Sequence, residues 1–158
     1  MLKDYQEKIL ELFVQLELDM SGLYKLFAVK FPKYEKLWTT LSQQELDHAE
    51  LVKKLWFLAK KNKVIFGEKL TKTYTVKRIL DSVKEAYTRA EKNQMSLINA
   101  LSVSRDFEQS VVLKEFYGFF TGKDPETRVL IHRIKGEMLG HQALLKTAWE
   151  EERKITLS

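Results

Sequence analysis

The sequence predicts an all-α fold: two antiparallel helical hairpins forming a four-helix bundle, joined by a long crossover that contains a shorter extra helix, in a single domain over residues 1–158. Three observations predict it. Apolar residues recur every three or four positions over long stretches. The chain has only 6 Gly and 2 Pro in 158 residues, too few for a loop-rich β fold. The breaks that do occur fall where helices in a bundle need to turn. With 44% apolar and 31% charged residues the composition is globular, and a chain of this length buries roughly two-thirds of its unfolded surface, so neither a disulfide nor a metal is needed merely to fold.

The first helix carries Ile9, Phe13, Leu16, Met20, Leu23 and Phe27 on one stripe and is stopped by Pro32. The second carries Leu37, Trp38, Leu41, Val52, Leu55 and Trp56 and fades between Lys60 and Gly67. The short turn between them makes the pair antiparallel. A single helix from Thr73 to Phe120 would be about 70 Å long and would overrun the bundle. Asn93 to Ser96 therefore breaks it, with Ser96 as N-cap of a third long helix running from Leu97 to Phe120. The preceding segment, to Lys92, is the shorter crossover helix. Gly122 to Pro125 forms the last turn, and Glu126 to about Arg153 the fourth long helix. When His141 is laid on His48, Leu130, Ile131, Ile134, Leu145 and Trp149 fall on Leu37, Trp38, Leu41, Val52 and Trp56, as in a weakly duplicated hairpin.

The absence of Cys removes thiolate metal sites, Cys nucleophiles and disulfides. No run of about 20 uncharged apolar residues could span a bilayer, and the N-terminus lacks a secretory pattern, so a cytoplasmic protein without membrane contact is expected. The net charge of +5 is densest from Lys53 to Arg78, where lysines alternate with apolar positions. Without a Gly-rich or aromatic nucleic-acid motif, that stretch reads as a solvated helix end and linker, and no nucleic-acid partner is expected. No phosphate loop is present, nor a nucleophile paired with a base.

Five polar residues stand on the apolar stripes. Glu17 lies between Phe13 and Met20, Glu45 and His48 share a face with Leu41, Val52 and Leu55, Glu108 lies between Ser104 and Val111, and His141 aligns with His48. Buried groups of this kind are costly unless paired, protonated or bound to a cation. Carboxylates and imidazoles without thiolates suit iron, manganese or zinc, and bridging carboxylates can hold two such ions close together. His132, about half a turn from His141, is expected to be exposed, and Trp38, Trp56 and Trp149 are core packing.

Glu45-Leu46-Asp47-His48-Ala49 resembles the Glu-x-x-His-Ala of the ferritin-like superfamily, and of its rubrerythrin-like di-iron family in particular. Glu17 followed by Tyr24 is similar to that family's first-helix Glu and Tyr, and the segment beginning at Ser96 resembles its third helix. The resemblance covers about residues 5 to 152. It implies a ferritin-like bundle in which Glu17 is a terminal metal ligand, Glu45 a bridging one and His48 an imidazole ligand, with Glu108 and a second Glu-x-x-His completing the site. The second half departs from the pattern: His141 follows Met138 by three residues, and the nearest carboxylate, Glu137, precedes it by four. Glu137 and His141 still lie within about 40° of each other around a helix, so Glu137 remains a candidate metal ligand paired with His141. The apolar register, however, points Met138 inward and leaves Glu137 at the edge.

Val111 stands where rubrerythrins often carry another Glu, and Glu115 takes the place corresponding to Tyr24, where it would pair with Tyr24 or a lysine in preference to contributing a distant ligand. Without Cys, the rubredoxin-like iron domain of full-length rubrerythrins is missing. The resemblance implies a metal-binding protein, with two irons or one, reacting with peroxide or dioxygen as a peroxidase-like or ferroxidase-like oxidoreductase. Its electrons would come from an external donor. The competing reading is a bundle with a degenerate metal site serving as a structural or interaction module, for example a homodimer.

Overall fold

The computed structural model describes residues 2–67, 73–110 and 120–157. Most of them lie in five α-helices: α1 (Asp4–Lys30), α2 (Glu35–Lys60), α3 (Thr73–Glu91), α4 (Leu97–Glu108) and α5 (Pro125–Leu157). Two three-residue strands complete the regular structure among the described residues, β1 (Val64–Phe66) and β2 (Phe120–Gly122).

Pro32 ends α1 as expected, because it has no amide hydrogen to continue the ladder and instead opens a single 3₁₀ turn over Pro32–Tyr34. That turn sends α2 back along α1. The antiparallel register is recorded by cross-links at two levels, Lys60 to Glu7 near one end and Ser21 to Ser42 near the middle. The serine pair is reciprocal: Ser21 Oγ donates to the Ser42 carbonyl at 2.8 Å and Ser42 Oγ donates to the Ser21 carbonyl at 2.9 Å. Small side chains at both positions let the backbones approach closely.

The crossover helix α3 packs on α1 through Val76, Leu80, Val83, Ala86 and Ala90, a stripe spaced by three and four. Asn93, with φ of 57°, turns the chain after it. Lys30 Nζ closes this corner by donating to the Glu91 carbonyl and to Asn93 Oδ1. Ser96 then caps α4 as its sequence suggested, its Oγ accepting from the Asn99 amide at 3.2 Å.

The third helix is shorter than expected. The hydrophobic pattern suggested a helix through Phe120, whereas α4 ends at Glu108 and Phe120 opens β2. The overriding interaction is tertiary: β2 pairs antiparallel with β1, Phe66 opposite Phe120, and the two rings meet edge to face with centroids 5.2 Å apart. Val111 and Glu115 lie outside the described residues. The last helix is longer than expected at both ends. Asp124 Oδ1 accepts from the Thr127 amide at 2.8 Å, a cap that starts α5 at Pro125, and the helix continues to Leu157.

α5 packs on α2 and α4, and α1 packs on α2 and α3, so α1, α2, α5 and α4 surround one core in a helical bundle. Its aromatic centre is Trp38, stacked on Tyr24 with centroids 5.9 Å apart and met edge-on by Phe27 at 5.0 Å. No helix among the described residues is long and apolar enough to cross a membrane.

The β2–α5 junction sets where α5 begins, and Gly122 allows its tightness. A Cβ there would lie 2.5 Å from the Arg128 amide nitrogen and 2.9 Å from the Thr127 carbonyl carbon, both of them backbone atoms. Gly122→Ala is expected to cost about 1–3 kcal/mol in chemical denaturation. Gly140→Ala, where a Cβ would meet nothing within 4 Å, should instead gain up to about 1 kcal/mol from helix propensity. Equal effects at the two positions would contradict this packing.

Candidate metal centre

The polar residues on the four apolar stripes meet inside the bundle. Glu17 comes from α1, Glu45 and His48 from α2, Glu108 from the last turn of α4 and His141 from the middle of α5, and all five are buried. Each helix places its residue by period alone, flanked on the same face by core side chains such as Phe13 and Met20 on α1 and Leu41 and Val52 on α2.

Glu45 is the hub. Its Oε1 lies 3.0 Å from His141 Nδ1 and its Oε2 3.8 Å from His48 Nδ1. His48 Nδ1 is also 3.6 Å from Glu17 Oε2, and His141 Nδ1 is 3.8 Å from Glu108 Oε1. The two imidazoles stack, with centroids 4.6 Å apart and planes 25° apart. Ligand-type atoms of Glu45, His48 and His141 lie within 4.8 Å of one another, so these three residues could hold a metal ion.

Hydrogen bonding does not account for this convergence. Among the described residues, twelve buried side-chain nitrogen or oxygen atoms lack a hydrogen-bond partner, and six belong to four of these residues: Glu17 Oε2, both oxygens of Glu45, His48 Nε2 and both nitrogens of His141. The separation of 3.0 Å between Glu45 and His141 is hydrogen-bond length without hydrogen-bond direction. Buried polar atoms are paired almost everywhere in folded proteins. A cluster aimed at shared space is what a cation's ligands look like without the cation, and the oxygen and imidazole donors suit iron, manganese or zinc.

Glu108 is held from two sides. Tyr24 Oη donates to its Oε1 at 2.8 Å, and Gln142 Nε2 donates to its backbone carbonyl at 2.8 Å. The second bond satisfies one of the carbonyls that a helix end leaves unpaired, and it ties α4 to α5 one residue from His141. Tyr24 thus takes Glu108 as its partner, which the sequence did not indicate.

Glu137 behaves differently from the other candidates. Met138 is buried at the inward register, as the apolar pattern predicted, and Glu137 sits at the edge with its side chain 36% exposed. Its Oε2 still reaches to 3.1 Å from His48 Nε2, while its Oε1 accepts from Arg133 Nε at 3.1 Å. Arg133 was not singled out in the sequence, although its position four residues before Glu137 is the spacing of a helical ion pair. Gln44, whose Oε1 is buried without a partner beside the site, and the exposed Asp47 carried no signal beyond their closeness to His48. His132 is exposed, as expected.

The electrostatics follow from this crowding. Burial, with the charge of Glu45 second, pushes the Glu17 carboxyl well above its ordinary value. Burial opposes charge on the two imidazoles, but the surrounding carboxylates outweigh it, raising His48 to about 10 through Glu17 and Glu45, and His141 to about 9 through Glu108 and Glu45. Burial and then Glu108 raise the Tyr24 hydroxyl as well, so it stays a proton donor. In the metal-free protein, protons offset the buried carboxylates.

Because the folded state binds these protons more tightly than the unfolded chain does, their contribution is complete below the ordinary imidazole value of 6.5 and is lost as pH rises through about 9 and 10. Glu17 acts in the same direction, beginning from its ordinary 4.5. The thermal midpoint of the chelator-treated protein is therefore expected to fall between pH 6.5 and 9. A flat or rising midpoint over that range would refute this charge assignment. Comparison of the chain with protein-family models, with curated proteins and with solved structures finds no match in any of the three.

Proposed function

We propose that the chain is a rubrerythrin-like member of the ferritin-like superfamily that binds iron inside its bundle and uses it to reduce peroxide or dioxygen. The observation that carries the reading is the convergence of Glu45, His48 and His141 with their ligand atoms left without hydrogen bonds. The element order adds support: two long helices, a crossover helix and two further helices, with each of α1, α2, α4 and α5 contributing to the site. Ferritin-like folds share this connectivity and build metal sites from inward carboxylates and Glu-x-x-His pairs on facing helices.

In this reading Glu45 is the shared carboxylate between the two halves, His48 and His141 are the imidazole ligands, and Glu17 and Glu108 are the outer carboxylates. Iron held by these residues would supply the electrons for reducing the oxidant, with a separate donor restoring them. Tyr24 fixes the rotamer of Glu108 by holding Oε1, which leaves the other carboxylate oxygen as the donor. Burial and the neighbouring Glu45 push the Glu17 carboxyl well above its ordinary value, and its Oε2 lies 3.6 Å from His48 Nδ1, where it faces the first half of the site. Metal must displace the protons on His48 and His141, so affinity rises with pH. Met138 in the inward position leaves the second half one bridging carboxylate short of the family pattern, which favours fewer than two tightly held ions.

One observation favours the alternative of a structural module without metal: the raised imidazoles let the core balance its own charge with protons. Anaerobic ferrous loading, desalting and elemental analysis separate the two readings. One or two irons per chain are expected, and none, with zinc and manganese also absent, would reject metal binding. Glu45→Ala should abolish loading, and with it the stabilisation that metal gives, about 2.7 kcal/mol at a hundredfold excess over Kd. In chelator the same change should cost only the pairing that Glu45 gives the two imidazoles, a smaller loss than in saturating metal. An identical loss with and without metal would identify Glu45 as part of a metal-free polar core.

A further inference from the structure

Among the described residues, a groove of about 690 Å³ opens between α2 and α5. Gln44 and Asp47 line it from α2, Glu137, Gly140 and Leu144 line it from α5, and the buried His141 forms part of its lining. His141, which lines the groove, has an Nε2 with no hydrogen-bond partner, and so has His48, whose buried Nε2 lies 3.1 Å from the groove-lining Glu137. A solvent-open groove thus leads to unpartnered buried nitrogens. Resting on the metal-binding reading above, we propose that divalent cations enter the centre through this groove, and that Glu137 hands them in as a transit ligand, not a resident one.

Glu137 spans the boundary. One of its oxygens is held at the surface by Arg133, and the other lies 3.1 Å from His48 Nε2, an atom inside the protein. A cation arriving from solvent meets the exposed carboxylate first and can be passed to the imidazole by rotation of one side chain. Arg133 is 63% exposed, so a divalent cation competes with a solvated partner. The guanidinium also argues against permanent ligation, because a resident cation would share its carboxylate with a fixed positive charge. The inward position on α5 belongs to Met138.

Gly140 supports the route independently. It lies in the interior of a long helix, where glycine costs about 0.8–1 kcal/mol relative to alanine, yet a Cβ would meet nothing within 4 Å. Neither backbone strain nor close packing asks for glycine there. A larger side chain at that position would project into the groove. The charge pattern points the same way: a chain with net charge +5 repels cations overall, so local carboxylates at the mouth, Glu137 and Asp47, matter for their approach.

The test is stopped-flow uptake of Co²⁺ alone, followed by its visible absorption, in the 158-residue chain and in its Glu137→Gln and Gly140→Leu variants, with thermal melts confirming that both variants fold. Both are expected to load about tenfold more slowly, to the same stoichiometry and the same final spectrum, and Glu137→Gln should lose much of the salt dependence of the rate. A changed spectrum or a lower stoichiometry in Glu137→Gln would make Glu137 a resident ligand and overturn the proposal. Wild-type rates in both variants would place the route elsewhere, overturning it equally. A parent protein that takes up no cobalt, iron, manganese or zinc would reject the metal-binding reading and this one with it.

Discussion

The structure depends on one costly act: burying three carboxylates and two imidazoles at the centre of a helical bundle. Each group alone would be expelled or neutralised at considerable cost. Together they are tolerable only if α1, α2, α4 and α5 hold registers that bring them within a few ångströms of Glu45, which touches both halves. The reciprocal serine bonds between α1 and α2, the Tyr24 to Glu108 bond and the Gln142 bond to the end of α4 all act on those registers. Helix packing and site chemistry are therefore one problem. A slip of one residue in any of the four helices would turn a buried charge by about 100°.

The two halves of the site solve that problem differently. In the first, Glu45 and His48 lie three residues apart on α2 and Glu17 faces them from α1, so all three side chains are buried. In the second, the residue three before His141 is Met138, which takes the core position, and the carboxylate moves one residue outward to the solvent edge. Polar character is kept near His141 through Glu108, supplied from a helix end and braced by Tyr24. The resulting centre is buried, and on its α2/α5 side His141 lines a solvent-open groove.

Most of the architecture was legible because it follows from periodicity and chain breaks. Pro32, Ser96 and the α3 stripe behaved as their local chemistry predicts, and Glu17, Glu45, His48, Glu108 and His141 could be picked out as polar residues in apolar registers. The end of α4 was not legible. Phe120 continues a helical hydrophobic pattern, and its strand pairing depends on Phe66, far away in sequence. The role of Glu137 was only half legible, since a spacing of four placed it near His141, whereas its closest imidazole is His48 on another helix. Glycine 140 gave no sign at all, because its meaning depends on the empty space beside it.

The stack of Tyr24 on Trp38 has an optical consequence. Trp38 is fully buried, its indole nitrogen has no hydrogen-bond partner, and its neighbour Tyr24 donates to Glu108. The indole therefore stands two contacts from the centre in a dry setting, which gives it a short emission wavelength, whereas Trp56 and Trp149 are only partly buried and sit beside cationic side chains. A change in the charge or position of Glu108 reaches Trp38 through one hydrogen bond and one ring contact. The bundle carries a built-in fluorophore whose blue edge reports the state of the site without any added label.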